Sequence, residues 1–511
     1  MAKAMLLLHF PGPRATLLVL TRSIKSLFSK RCYSHQHLDP PLNNVVGNPT
    51  DFFRHTSGRW LWNEEEQLRA RYREFDIAEL QRVAVDASSA GPCVRMKKLG
   101  EGTYNKAFKL TMANNKTVVA RIPNPNAGPA FLTTASEVAT MDFLRNVLHI
   151  PVPKHAPGTQ LAFVWPDMNV RRNMQTIKDI VEIQHKLLLM RFSSYGCLYF
   201  SEDAPPGSHP AILNGDDLSH EFKKSIADKF SPLQRASALG YIQAPALREI
   251  SWLENFADPN PSEELVMPYR NVYPPAEHIS VIQRYLPLTP HLLPSEEDIA
   301  GAFLCHADLT SPNIFVDGDG RITSIIDWQS SAACPLFVEG RPPRFLDYKG
   351  EQIFKLPEDF DTLDEEKQKS IKNQRDQSMM LYIYNDHAER RNPLLHKVFN
   401  YLGGQVLWDP INMAGGTWDG DVLTLRETLI RVHKHWDLFD CQGKCPLNFS
   451  PEEISKHNED GEYWNEVQDL WDSIRGVLDR DGWTSNETYE AAKSIYAYFQ
   501  NLPGPESNKP G

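Results

Sequence analysis

The chain has 511 residues, of which 41% are hydrophobic and 23% are charged, a composition typical of a globular protein. The formal net charge of −11 argues against a general nucleic-acid binder, because such proteins need a basic surface to displace counterions. No stretch approaches the ~18 consecutive apolar residues of a membrane span, so the sequence predicts no transmembrane segment.

The first 38 residues are basic, and no acidic residue occurs before Asp39. Residues 15–28 carry apolar side chains at helical spacing, with Arg22 and Lys25 off the apolar face. A basic, acid-free amphipathic helix is typical of a mitochondrial transit peptide. We therefore predict localisation in the mitochondrion through the mitochondrial import machinery. A secretory signal and a disordered tail are the alternatives.

A strand-rich segment follows a helical extension. The extension is predicted to be helical at 60–87. Further along, a helix is predicted at 132–148, capped by Thr133 or Thr134. Between them the pattern predicts strands at 94–96, 107–110 and 118–122.

From about residue 174 onward, helical patterns dominate, with amphipathic helices predicted at 421–437 and 462–499. The exception is the stretch at 303–329, where two short apolar runs flank a glycine-rich turn. That pattern predicts a β-hairpin. In a hairpin, the residue that follows the second strand lies next to the residue that precedes the first strand.

Polar side chains occupy both of those hairpin positions. Asn313 enters the first strand and Asp327 follows the second, so both can face one space. Their oxygens are hard ligands of the kind that Mg²⁺ prefers. Asp308, on the preceding loop, could accept a proton from a substrate hydroxyl while the metal neutralises phosphate charge. The alternative is a surface loop with solvated acids.

The offset from Asp308 to Asn313 equals the catalytic-loop spacing of protein kinases. In the strand-rich segment, Gly100 and Gly102 lie between apolar runs, as in a hairpin that covers phosphates. Asn105 stands where a third glycine is expected. The alternative is a simple glycine turn.

Arg121, on the third predicted strand, occupies the position of the kinase lysine. Glu137, on the following helix, is its expected partner. Arginine keeps the charge and can bind phosphate or Glu137 through two bonds, but it is larger and planar. The alternative is an exposed arginine and a solvated glutamate.

The stretch from His306 to Asn313, together with Asp327 and Trp328, resembles the aminoglycoside phosphotransferase family, a branch of the protein-kinase-like fold. Leu99–Lys106 and Val119–Pro123 are similar to the fungal altered inheritance of mitochondria protein 9 group. The resemblance implies ATP and Mg²⁺ as cofactors. It implies these roles: catalysis by Asp308 and His306, nucleotide binding by Gly100, Gly102, Thr103, Arg121 and Glu137, and metal binding by Asn313 and Asp327.

The resemblance also implies an α+β fold with a small strand-rich N-lobe and a larger helical C-lobe. The predicted helix at 132–148 is followed by the segment 150–154, and only residues 155–164 separate that segment from Trp165. A kinase small lobe normally adds two strands and a hinge there, which need about 15–25 residues. We therefore expect an N-lobe truncated at the hinge. Either the adenine-binding edge is lost or the gene prediction omits an exon, and the regular flanks favour the second.

The function predicted from the sequence is transfer of phosphate from ATP to a hydroxyl of an unknown small molecule. The first alternative is a pseudokinase that acts as a binding protein in mitochondria. The second is transfer of AMP to a protein. The predicted domains are a transit peptide at 1–38, an extension at 39–92, an N-lobe at 93–165, a C-lobe at 166–502 and a disordered tail at 503–511.

Overall fold

The computed structural model describes most of the chain outside its two ends. The predicted transit-peptide helix at 15–28 and the predicted tail at 503–511 lie outside the described residues. The described residues are 5–9, 45–152, 158–208, 210–214, 219–232, 235–258, 273–420, 422–439 and 443–500.

Helices and short strands make up the described residues. The strands are β1 Met5–His9, β2 Gly58–Trp60, β3 Cys93–Glu101, β4 Asn105–Met112, β5 Thr117–Pro123, β6 Thr159–Gln160, β7 Arg191–Phe192, β8 Leu198–Phe200, β9 Leu213–Asn214, β10 Phe230–Pro232, β11 Ala302–Cys305, β12 Ile314–Val316, β13 Ile322–Ile325, β14 Ala332–Pro335 and β15 Trp483–Ser485. The α-helices are α1 Glu64–Arg71, α2 Ile77–Ser88, α3 Ala130–Asn146, α4 Leu161–Val164, α5 Val170–Leu187, α6 His220–Lys229, α7 Ala238–Phe256, α8 Pro275–Leu288, α9 Glu297–Ala300, α10 Leu336–Glu339, α11 Glu365–Arg391, α12 Pro393–Phe399, α13 Gly404–Met413, α14 Thr417–Gly420, α15 Val422–Lys434, α16 Pro451–Ser473 and α17 Tyr489–Gln500. Within these residues no helix combines the length and the apolar character needed to cross a membrane.

The N-terminal sheet has the strand order β1-β5-β4-β3 and is antiparallel. Strands β3, β4 and β5 confirm the three strands predicted in this region. Alternate side chains of β4 are buried, from Lys106 to Met112, because successive residues of a strand point to opposite faces. Helix α2 covers that face with Leu80 and Val83, so a compact hydrophobic core forms from this part alone.

The helix predicted at 60–87 is wrong in its extent. Trp60 ends the short strand β2, and two separate helices follow it. The break between them arises because Phe75 enters the core and Asp76 caps α2, its carboxylate accepting the backbone N–H of Glu79 at 2.9 Å. The helix predicted across 462–499 is also interrupted, because β15 pairs with β2 in that interval.

Helix α3 confirms the helix predicted at 132–148 but begins earlier, at Ala130. The predicted cap is wrong, because Thr133 lies inside the first turn and its hydroxyl donates to the carbonyl of Pro129. The far end of α3 joins the larger core, where Phe143 contacts the rings of Phe192 and Phe230. The helix therefore lies between the N-terminal sheet and the helical part of the chain.

The segment after α3 does not extend the N-terminal sheet within the described residues 147–152 and 158–164. Strand β6 pairs instead with β12 of the hairpin, and α4 follows directly. Through its described residues, the short connection between α3 and α4 therefore pairs with the hairpin and adds no strand to the N-terminal sheet.

The predicted hairpin is confirmed. Strands β12 and β13 pair antiparallel, with Ile314 opposite Ile325, and the backbone N–H of Ile326 donates to the carbonyl of Asn313 at 2.9 Å. Trp328 anchors its end, because the buried indole donates to the carbonyl of Ile325 at 3.0 Å. The remaining short strands, including the sheet β14-β11-β7-β9, were not predicted.

Candidate active site

A cleft with a volume of about 1070 Å³ lies where β3, β4, α3 and the hairpin come together. We call it the nucleotide cleft, after the nucleotide binding that the sequence predicts for these residues. Its walls bring together residues that are far apart in the sequence. The lining includes Gly100, Gly102, Thr103, Arg121, Glu137, Asp308 and Asp327, which are seven of the nine residues predicted for the site.

The guanidinium of Arg121 joins two carboxylates across this cleft. Its Nη1 donates to Oε1 of Glu137 at 2.9 Å, and its Nη2 donates to Oδ1 of Asp327 at 2.9 Å. The pairing with Glu137 agrees with the prediction. The bond to Asp327 was not predicted, and it ties β5 of the N-terminal sheet to the hairpin.

Burial makes this ion pair sensitive to substitution. The Glu137 side chain is 5% exposed and that of Arg121 is 15% exposed, whereas Asp327 is 42% exposed. Burial is the largest influence on the Glu137 carboxyl and raises its pKa, while the charge of Arg121 opposes that effect. Burial alone would lower the pKa of Arg121, but Glu137 and Asp327 together hold it above its usual value. Arg121 is therefore a permanent cation between two acids.

Asn105, which stands at the position of the expected third glycine, forms a side-chain hydrogen bond across the cleft. Its side-chain amide donates to Oε1 of Gln329 at 2.9 Å, and the same oxygen lies 3.3 Å from Nη2 of Arg121. Asn105 thus links the glycine hairpin to the residues just after Asp327. Neither Asn105 nor Gln329 was predicted as a site residue, because the contact joins positions more than two hundred residues apart.

His306 is held by the backbone on both sides of its ring. Its Nδ1 accepts the backbone N–H of Asp308 at 3.0 Å, and its Nε2 bonds the carbonyl of Ile326 at 3.0 Å, so Nε2 carries the proton. Burial, the largest influence, lowers the pKa of His306 and keeps the ring neutral. Both ring nitrogens of His306 are therefore occupied by backbone groups of the described residues, and its catalytic role stays a prediction.

Asn313 is buried directly beneath Asp308. Its Nδ2 donates to the backbone carbonyl of Asp308 at 2.9 Å and to its Oδ2 at 3.1 Å. The amide oxygen of Asn313 forms no hydrogen bond with any described residue, so it remains open to a ligand. Asn313 does not line the nucleotide cleft itself. The described residues contain no cluster of three or more His, Cys, Asp or Glu side chains arranged to hold a metal ion.

Gly100 and Gly102 leave open space above the cleft. A Cβ atom on either residue would meet nothing within 4 Å, and neither has a backbone conformation that demands glycine. The backbone N–H of Gly102 already donates to the carbonyl of Asn105 at 2.9 Å, which closes the turn. The fold therefore leaves room for a Cβ atom at both positions, and without one a ligand in the cleft can approach the backbone closely.

Replacing Gly102 with alanine should therefore leave the melting temperature unchanged and weaken ATP binding about tenfold, because the new methyl group obstructs the phosphates. Isothermal titration with ATP measures the affinity. The matched control is Gly318→Ala in the hairpin turn, which also adds a methyl group in open space. Equal ATP affinity of Gly102→Ala and the control would contradict the role.

Glu101, between the two glycines, was missed by the sequence analysis. Its side chain is 1% exposed and forms an ion pair with Lys98 at 2.5 Å. The same carboxylate accepts hydrogen bonds from the backbone N–H groups of Thr56 and Ser57. The N-terminal extension thus anchors the glycine hairpin from behind. No local pattern signals this contact, because an exposed acid is the ordinary expectation within a glycine turn.

His55 adds a pH dependence to this anchor. Burial, the largest influence, lowers the pKa of His55 from 6.5 to about 4, although Glu101 opposes the shift. Because the unfolded chain binds a proton that the folded protein does not, the free energy of unfolding should fall as pH drops from 6.5 to 4. Chemical denaturation across this range tests the prediction. His55→Gln should flatten the slope, and an unchanged slope would contradict it.

A second cavity of about 510 Å³ shares Asp308 with the nucleotide cleft. We call it the acceptor cavity. It lies among α5, β11, the loop after α10 and the catalytic loop, and it is lined by charged and apolar side chains. The lining includes His306, Asp308, Glu339, Arg341, Arg344, Asp347, Leu395 and Met413.

Comparisons with known proteins show which family and which relatives this chain resembles. Residues 264–338, which contain the catalytic loop and the hairpin, match the phosphotransferase enzyme family. A subtelomeric hrmA-associated cluster protein of Aspergillus fumigatus is 29% identical over 467 aligned positions, covering 78% of this chain and 91% of the relative. Because 78% of the 511 residues amounts to fewer than 467 positions, the relative contains additional residues within the aligned region.

Two further relatives are named altered inheritance of mitochondria protein 9, mitochondrial. The protein of Saccharomyces cerevisiae is 24% identical and covers 80% of this chain and 83% of its own length. The protein of Lachancea thermotolerans is 23% identical and covers 86% of this chain and 89% of its own. The resemblance to this group and to the phosphotransferase family is confirmed, and so is the predicted mitochondrial localisation.

Among solved structures, a macrolide 2'-phosphotransferase type I is similar over 69% of this chain and 96% of its own length. The sequence identity is 10% and the TM-score is 0.32. With the family match, the mixed helices and strands agree with the predicted α+β, kinase-like fold.

Proposed function

We propose that this protein is a mitochondrial phosphotransferase that moves a phosphoryl group from ATP to a hydroxyl of a small molecule. One observation carries the proposal: Arg121 joins Glu137 of α3 and Asp327 of the hairpin at 2.9 Å each, within a cleft that Asp308 also lines. That arrangement places a cation, a base and a glycine hairpin around one space, as phosphoryl transfer requires. Two separate cores support a bilobal architecture.

Asp308 is the proposed general base. It lines both the nucleotide cleft and the acceptor cavity, so its carboxylate lies between a phosphate donor and a hydroxyl acceptor. Asn313 fixes the orientation of this carboxylate through the bond to Oδ2. His306 holds the backbone of the same loop. The position allows Asp308 to accept the hydroxyl proton as the acceptor oxygen attacks phosphorus.

The donor set suits Mg²⁺, because Asp327 and Asn313 offer hard oxygen atoms and the amide oxygen of Asn313 has no hydrogen bond from the described residues. When bound, Mg²⁺ neutralises phosphate charge. Asp327 has a left-handed backbone conformation, with φ of 60°, which the hairpin holds in place. Arg121 orients its Oδ1, and the exposed part of the carboxylate remains available to a ligand.

The proposal is tested by incubating the purified protein with phosphate-labelled ATP and an extract of mitochondrial metabolites. We expect label to appear on a small molecule, and we expect chelation of Mg²⁺ by EDTA to abolish the transfer. Asp327→Asn should lower the rate strongly, whereas Asp319→Asn in the exposed hairpin turn should not. Absence of a labelled product, or transfer that survives EDTA, would refute the proposal.

A binding protein without catalytic turnover is the second candidate. Two observations favour it: Asp327 is already paired with Arg121, and the described residues after α3 add no strand to the N-terminal sheet. The extra residues of the Aspergillus relative agree with a loss in this chain. Under this candidate, ATP affinity should be well below that of the Saccharomyces relative.

Complementation distinguishes the two candidates. A strain that lacks the protein is supplied with the wild type, with Asp308→Asn or with Asp327→Asn. Under the phosphotransferase proposal neither variant restores the function that is lost. Full restoration by both variants would instead support the binding protein.

A further inference from the structure

Arg344 stands where the nucleotide cleft and the acceptor cavity meet. Only three residues, Ala307, Asp308 and Arg344, line both spaces among the described residues. Arg344 is the one cationic side chain of this set. With Asp308 as the base, a phosphoryl group passes from donor to acceptor at this junction, and Arg344 lies beside that path.

The backbone that carries Arg344 is fixed by packing. Pro342 and Pro343 precede it, and the backbone N–H of Leu346 donates to the carbonyl of Pro343 at 2.8 Å, closing a single 3₁₀ turn. Phe345 packs edge-on against Trp165 with the ring centroids 5.1 Å apart. Arg344 thus lines both cavities, and the contacts of the neighbouring residues fix the backbone that carries it.

The other charges of the acceptor cavity have counter-charges or are suppressed by burial. Arg341 lies 3.5 Å from Asp409, and Asp347 lies 3.0 Å from Lys349. Glu339 is largely buried, and burial is the main cause that raises its pKa. No described residue forms a salt bridge or a side-chain hydrogen bond with Arg344, although its charge acts at longer range on Glu339 and lowers the pKa of that carboxyl against the effect of burial. The junction therefore carries a guanidinium without a direct partner among those residues, in the same lining as the carboxylate of Asp308.

We propose that Arg344 binds an anionic oxygen group, a phosphate or a carboxylate, at the junction of the two cavities. The inference rests on the proposed function and adds a ligand-binding residue to it. A planar guanidinium fits such groups through two parallel hydrogen bonds. The group has two possible sources, the terminal phosphate of the nucleotide or an anionic substituent of the acceptor. Repulsion by the same cation disfavours polycationic acceptors.

Titration calorimetry with four ligands tests the inference and identifies the source. ADP and a non-hydrolysable ATP analogue form the first pair, and glycerol 3-phosphate and glycerol, each added with ADP present, form the second. For Arg344→Gln we expect about tenfold weaker binding of the member that carries the additional phosphate in one pair, with the other member of that pair unchanged. A loss confined to the ATP analogue assigns the nucleotide, and a loss confined to glycerol 3-phosphate assigns the acceptor.

Arg321→Gln is the matched control, because Arg321 is exposed at the hairpin turn and lines neither cavity. Arg344→Lys should recover part of the affinity. Unchanged affinity of Arg344→Gln for all four ligands overturns the inference, and so does an equal loss for ADP and the ATP analogue. If the wild type binds neither nucleotide, the proposed function fails and the inference fails with it.

Discussion

Asp308→Asn is expected to lower kcat for phosphoryl transfer by about 10²–10⁴-fold, the usual contribution of a general base. Asparagine keeps an oxygen that can accept the bond from Nδ2 of Asn313, so the loop should stay in place. It cannot take the proton of the acceptor hydroxyl. Because no nucleotide contact is removed, the KM for ATP should remain within about twofold of the wild type.

Steady-state kinetics with a labelled acceptor from the extract measures both quantities. The matched control is Asp319→Asn, since Asp319 is exposed in the hairpin turn and lines neither cavity. A kcat of Asp308→Asn close to that of the control would remove Asp308 from the mechanism. A parallel rise in the KM for ATP would show that Asp308 acts through nucleotide binding instead.

Arg121→Ala is expected to lower the free energy of unfolding by about 3–5 kcal/mol, the usual cost of removing one partner of a buried ion pair. Glu137, 5% exposed, would lose its counter-charge, and Asp327 would lose the bond that ties it to β5. Activity should fall with stability, because the nucleotide cleft depends on that connection. Chemical denaturation followed by tryptophan fluorescence measures the change.

The double variant Arg121→Ala with Glu137→Gln separates charge from packing. Neutralising the stranded carboxylate should recover part of the lost free energy, since the penalty arises mainly from an unpaired buried charge. Arg121→Lys should retain the ion pair with Glu137, but a single ammonium cannot also bond the carboxylate of Asp327 as the second guanidinium nitrogen does. If Arg121→Ala is as stable as the wild type, the structural role of the ion pair is wrong.

The hairpin of β12 and β13 was predictable because the sequence features that determine it are local. A glycine-rich turn between two apolar runs determines the pairing of β12 and β13, and that pairing places Asp327 beside Asn313. The strands β3 to β5 follow from the same kind of alternation. The extent of the N-terminal helix at 60–87 was not predictable, because Phe75 leaves the helical pattern to fill a core made by distant strands.

Within the site, the sequence identified the chemical types but not all of the partners. Arg121 and Glu137 were paired correctly because the kinase pattern places them on consecutive elements. Glu101 resembled an exposed turn residue, and only the folded protein shows the extension wrapped behind it. The family motif predicted a catalytic role for His306. In the folded protein, backbone groups of Asp308 and Ile326 occupy both of its ring nitrogens.

The sequence alone determined the strands β3 to β5, the hairpin, the residues that could act as base and metal ligands, and the resemblance to phosphotransferases. Periodicity and turn chemistry act between neighbours, so they can be recognised without a fold. Tertiary structure alone decided that Arg121 reaches Asp327, that Asn105 reaches Gln329 and that Arg344 stands between two cavities. These contacts join residues that are distant along the chain, and only the packing of the two cores brings them together.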